Sequence, residues 1–234
     1  MDVKTIVNTV CDEVKISRIS TLVNPTTPQG KQLLAFLYAT GRQLISAKCW
    51  KQLQRTHSLT TSNGVATYAK PADFYCFASQ ATWNTSTSQQ VNGPLSNSQF
   101  DAIQYGSEPI AGDFSMRVFG RENENQLELY PTPGSSNQTL KFPYLSKYWI
   151  RPAASINWAD TVANDTDVVA FDDDLVILGV KWRYKKENGL DFESDAKAFS
   201  TKIERASARL DGTRRGSFSR KRTTPRYSVP RGGW

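Results

Sequence analysis

Residues 172–192 read DDDLVILGVKWRYKKENGLDF, and the order of charge along them decides how the chain is divided. Three aspartates, Asp172, Asp173 and Asp174, open the stretch. An apolar run fills 175–180, and Lys181, Arg183, Lys185 and Lys186 close it before Gly189. Acids first and bases last suit the helix dipole, by ~0.3–1 kcal/mol for each well-placed charge. The stretch therefore predicts a helix that starts at Asp172 and stops at Gly189. A last helix follows, with Asp191 as its candidate cap. Phe192, Ala196, Phe199, Ile203, Ala206 and Leu210 advance in steps of four and three, a narrow seam made for packing on another helix. Leu175, Leu178 and Trp182 join Phe192, Phe199, Ile203 and Leu210 as the predicted helix-packing side chains.

The other end of the chain is helical as well. Val3, Ile6, Val7, Val10, Cys11 and Val14 form one apolar stripe at helical spacing. Asn24-Pro25 breaks it. Thr26 or Thr27 then caps a second helix with Pro28 in its first turn, where a missing N–H costs nothing. Gln29 is positioned to close a capping box with Thr26. Leu33, Leu34, Phe36, Leu37, Gly41, Leu44 and Ile45 give this helix a broad apolar face as far as about Trp50.

Between the helical ends the pattern is that of strands. Asn63-Gly64 between 58–61 and 65–69 is a hairpin signal. Residues 75–83 read as a strand, 85–92 as a polar loop, and Ser96 as the cap of a short helix that buries Phe100 and Ile103. Residues 114–119 and 126–130 predict a second hairpin, and 140–149 a long strand close to the core. The expected fold is α+β: a helical bundle formed by the N- and C-terminal helices, with an inserted β-rich module and an extended tail. The divisions fall at 1–52, 53–169, 170–212 and 213–234.

Charge is concentrated at one end. Of the 29 lysines and arginines, seven lie within 212–234: Arg214, Arg215, Arg220, Lys221, Arg222, Arg226 and Arg231. None of the 22 acids does, so residues 1–211 carry 22 of each sign and the tail holds the whole net +7. Phe218, Tyr227 and Trp234 interleave with these cations. Three readings follow: a solvated tail without a partner, a nucleic-acid contact in which aromatics stack on bases, and a docking peptide for an acidic protein surface. Pro225, Val229 and Pro230, spaced among the aromatics, suit an extended segment with side-chain anchors and favour the third.

Little points to catalysis. The one histidine, His57, stands at a predicted strand start without a partner motif, and no G-x-S-x-G, H-E-x-x-H or phosphate-loop pattern occurs. Adjacent aspartates at 172–174 point in different directions, and helix-start electrostatics accounts for them better than a metal does. Glu108, Asp113, Glu122 and Glu124 have no spacing that defines a carboxylate pair. Cys11, Cys49 and Cys76 are odd in number and widely spaced, which predicts thiols in a reducing compartment. No metal or cofactor is expected. The first residues show no secretory pattern, and no apolar run has the ~20 residues that cross a bilayer.

Several segments resemble the head-to-tail adaptors of short-tailed DNA bacteriophages, the group that includes tail tubular protein A. QLLAFLYATGR at 32–42 is similar to the family's long second helix. Trp50, the 56–68 segment and PADF at 71–74 resemble its entry into the β module. GPLS at 93–96 with Phe100 resembles its short inserted helix, and FPYLSKYW at 142–149 its long strand. The segment 175–186 with 189–192 matches best. The resemblance spans roughly residues 1–211. It implies a non-enzymatic virion protein, assembled in the host cytoplasm into a ring of twelve copies. That ring would join the portal protein to the tail nozzle or tailspikes, with genomic DNA passing through its centre without sequence-specific binding and with no membrane contact. By the same analogy Arg214, Arg215, Phe218, Arg220, Lys221, Arg222, Arg226, Tyr227, Arg231 and Trp234 form a portal-docking arm. The alternative is a nucleic-acid-binding protein that works through this tail.

Overall fold

Trp149 fills the gap that Gly41 leaves. A Cβ on Gly41 would lie 2.3 Å from two atoms of the Trp149 indole, so only glycine lets this helix approach so closely. Gly179 does the same on the facing helix, where a Cβ would meet Thr40 Cγ2 at 2.3 Å and Phe199 at 2.9 Å. Around these two points the computed structural model builds its helical part. It describes residues 1–79, 81–106, 112–120 and 126–212, with side chains to Ala206.

Among the described residues, five α-helices and a curled sheet make a mixed α+β fold. Helix α1 (Val3–Glu13) is capped by Asp2, whose carboxylate accepts from Thr5 N. Helix α2 (Pro28–Ala47) is capped by Thr27, which accepts from Gly30 N. The capping box expected from Thr26 and Gln29 is absent, because the Gln29 side chain donates instead to Ser17 O at 2.8 Å. The helix also stops three residues short of Trp50. That indole instead donates back to Leu44 O at 2.6 Å and turns the chain into a short 3-10 turn, Lys51–Leu53.

The strands run β1 (Gln54–Thr60), β2 (Thr67–Ala69), β3 (Phe74–Phe77), β4 (Thr82–Asn84) and β5 (Gln89–Leu95). Helix α3 (Asn97–Tyr105) follows, then β6 (Ser115–Phe119), β7 (Gln126–Tyr130) and β8 (Thr139–Ser146). The large sheet has the order β1-β8-β4-β5-β6-β7-β2, with β3 also on β8; the β5–β6 pair is parallel, and the other pairs among the described residues are antiparallel. A two-stranded ladder of β9 (Ile150–Arg151) and β10 (Val168–Val169) leads to α4 (Asp173–Glu187) and α5 (Glu193–Gly212).

The first expected hairpin does not form. A turn exists at Asn63-Gly64, with Gly64 at φ +75, but β1 pairs with β8 and β2 pairs with β7. The backbone around the turn is claimed by the 133–138 segment: Gly64 N donates to Pro133 O, Thr61 N to Gln138 O and Asn137 N to Thr61 O. The expected strand 75–83 is two strands, β3 and β4, that reach β8 one after the other. The expected loop 85–92 contains most of β5, whose outer residues are polar because they are exposed. The second hairpin, β6 with β7, pairs as the sequence suggests. Ser96 caps α3 in a capping box with Gln99.

Two apolar cores share one strand. Leu140, Phe142 and Tyr144 of β8 join Leu59, Val91, Met116, Leu127 and Leu129 in the sheet core. Leu145, one residue on and therefore on the other face, belongs to the helical core with Leu37, Leu44, Trp149, Leu175 and Val180. Helix α4 lies against α1, α2 and α5. That position explains why Leu175, Val176, Ile177, Gly179, Val180 and Tyr184 are all buried on a helix without a clean polar side. Of the predicted packing residues, Leu175, Phe199 and Ile203 are buried, and Leu178 and Trp182 are half-buried against the same core. Phe192 lies with its ring 6.5 Å from that of Trp182. The side chain of Leu210 lies outside the described ones.

Candidate functional site

Among the described residues, several that the sequence offers for chemistry make contacts within the scaffold. His57 sits on β1 with its ring 5.2 Å from Phe142 and 6.5 Å from Tyr144, and burial pulls its pKa down against a smaller opposing effect of Asp73. Asp172 caps α4 by accepting from Leu175 N, and Lys202 reaches both Asp172 and Asp174, at 3.0 and 2.9 Å. Asp173 meets the N-terminal ammonium at 2.7 Å. These partners account for the three aspartates. Lys181 and Lys185 at the other end of α4 converge on Asp195, and Lys181 also pairs with Glu13. Partly exposed pairs of this kind set helix register more than they add stability. Asp113 accepts from Asn84 Nδ2 at 2.9 Å and from Thr87. Glu108, Glu122 and Glu124 lie outside the described residues, and so do the ten residues from Arg214 to Trp234 that the resemblance suggests for portal docking.

Arg183 is the cation most withdrawn from water in the helical part. It donates to Gly179 O at 2.7 Å, Thr40 Oγ1 at 3.1 Å and Gln43, and its guanidinium lies 4.4 Å from the Trp182 ring centre. Burial lowers its pKa to about 10, which leaves it charged at neutral pH. Arg117 holds the corresponding place in the β part. It bridges Asp101 of α3 and Glu128 of β7, both at 2.7 Å, with Phe100 beneath it.

A cleft of roughly 450 Å³ opens where the helical part meets the sheet. Tyr38, Arg42 and Ile45 supply one wall, spaced by four and three so that they share a face of α2. Tyr75 of β3 and Lys147 and Trp149 beyond β8 supply the other, and Asp160 and Thr161 close one side. Trp149 is buried, whereas Tyr75 is 45% exposed.

Two carboxylates that sequence reasoning did not single out fix this wall. Asp167 is fully buried and accepts from Ala163 N at 2.7 Å, Asn164 N at 2.9 Å and Ala153 N at 3.0 Å. Burial raises its pKa, but the bonds from Asn164, Ala153 and Ala163 together outweigh that and lower it. Asp165 likewise accepts from Leu22 N and Val23 N, and Lys4 lies 3.5 Å away. Its pKa is lowered too, again against burial. Val162 N donates to the Tyr38 hydroxyl at 3.1 Å, and Ala159 exchanges backbone bonds with Ile150. The signal was present in Asn164-Asp165-Thr166-Asp167, a run of residues whose short side chains bond to nearby backbone.

What the described residues form is a structural scaffold with a side cleft, and the sequence after it is basic. The model of the SU10 adaptor protein family matches residues 1–226, and the chain belongs to that family of phage structural adaptors. The match continues beyond the last helix into the basic segment, further than the roughly 211 residues that the resemblance covers. No curated protein matches the chain.

Proposed function

We propose that this protein is one copy of a ring of twelve that joins the portal to the tail nozzle or tailspikes of a short-tailed phage and leaves a channel for DNA. The observation that carries the reading is that the family match runs past the last helix into the basic segment, through Arg226. The charge partition supports it. Residues 1–211 are balanced at 22 charges of each sign, so a channel lined by them need not hold a sliding polyanion. The helices that surround α4 are read as the bundle that makes the hoop, closed by heterologous contacts between copies. The seven cations of the tail then bind acidic portal side chains, where arginine makes paired hydrogen bonds. Many weak arms on one ring act together.

Removal of 213–234 tests the arm. The shortened chain is expected to fold with unchanged helix content and to lose portal attachment in co-sedimentation. Full attachment by the shortened chain overturns the arm. Phe218, Tyr227 and Trp234 between the cations favour a second reading, nucleic-acid binding by the tail. It requires tight DNA binding by the isolated protein that falls steeply with salt and disappears with the same deletion.

A further inference from the structure

We propose that the cleft between α2 and the 147–161 segment receives an extended, acidic segment of a neighbouring virion protein, with an aromatic or aliphatic side chain as its anchor. The inference rests on the adaptor reading and names a second contact, separate from the basic tail.

Shape comes first. Ile45 from one wall and the buried Trp149 from the other bring apolar surface into the cleft, and the Tyr38 and Tyr75 rings line it beside them. The volume, roughly 450 Å³, is that of a small-ligand pocket and admits one or two side chains with their backbone, not the face of a helix. The walls are set before anything binds. Asp167 holds 153 and 163–164 to one point, and the Tyr38 hydroxyl ties Val162 to α2. A preformed site loses little ordering entropy on binding.

Charge then selects the occupant. Arg42 and Lys147 line the cleft, both exposed, and neither makes an ion pair among the described residues. Asp160 is the one acid beside them. The excess of positive charge repels the chain's own tail, which brings seven cations and no acid. Asp160 counts against a phosphate backbone but is compatible with a peptide, whose N–H groups it can accept from. An acidic peptide with an apolar anchor satisfies the apolar lining and the two cations together.

The test uses full-length protein assembled with its portal and tail proteins, with Tyr75 replaced by the photo-crosslinker p-benzoylphenylalanine. The expected product is a covalent link to one segment of a different virion protein that contains Asp or Glu beside an apolar residue. In a parallel measurement, Arg42→Glu with Lys147→Glu weakens attachment of that protein about tenfold, while far-ultraviolet circular dichroism stays unchanged because both positions are on the surface. A link to residues 213–234 of a copy of this chain, or no intermolecular link in assembled particles, overturns the proposal. So does salt-sensitive binding of single-stranded DNA that the charge reversal abolishes. If the unmodified protein joins neither portal nor tail, the adaptor reading itself fails and the cleft proposal falls with it.

Discussion

Gly41 and Gly179 are the residues on which the helical core turns. Each stands where a Cβ would lie 2.3 Å from a neighbour that cannot move freely: the Trp149 indole for Gly41, and Thr40 for Gly179. Gly41→Ala and Gly179→Ala are each expected to lower stability by about 1–3 kcal/mol, the usual cost of forcing extra volume into a packed core. Urea denaturation checks this, and a gain in stability, as expected for Gly→Ala at an open helix position, contradicts it. Asp167 carries a pH dependence. Its folded pKa lies below the ordinary 3.8, so the unfolded chain binds its proton more readily. The stabilisation is therefore complete above that ordinary value and is lost as pH falls below it toward the folded value. Asp167→Ala is expected to cost about 2–3 kcal/mol at neutral pH, since three backbone N–H groups lose a charged acceptor, and to flatten the acid limb of the stability curve. Neither glycine showed its role in the sequence, where a glycine in a helical run reads only as tolerated. The partner that requires it comes from more than 100 residues away for Gly41, and from both α2 and α5 for Gly179.

Elements that carry their own signals were legible. The stripe of α1, Thr27 with Pro28 at the start of α2, Ser96 at α3 and the charge order of α4 are all local features, and the structure places these elements as they suggest. The β6–β7 hairpin and the core position of β8 were legible for the same reason. Pairings between distant segments were not. Asn63-Gly64 makes its turn, yet the strands on either side leave for β8 and β7, because the decisive hydrogen bonds come from 133–138. Tyr68 holds the turn in this diverted course. Its hydroxyl accepts from Ser62 N at 3.0 Å and donates to Val65 O at 2.7 Å. Tyr68→Phe is expected to cost about 1 kcal/mol and to speed amide exchange at Ser62 and the β2–β7 ladder. Faster exchange across β1 and β2 together instead would show a plain hairpin. Of the candidate site, the tail was conspicuous from its charge, whereas the cleft was not, since its walls come from α2, β3 and the 147–161 segment.

For the whole molecule, the consequence of this build is mechanical. Strand β8 puts Leu140, Phe142 and Tyr144 in one core and Leu145 in the other, so one strand is packed into both the helical and the β part. Under the proposed function such a subunit serves in a fixed collar, with the basic tail and the side cleft as its proposed contacts. The direct measurement is electron microscopy of the full-length protein mixed with its portal. The account predicts a closed ring beneath the portal with density for the basic tail lying on portal surface. A portal left bare, or a tail folded back on its own subunit, contradicts it.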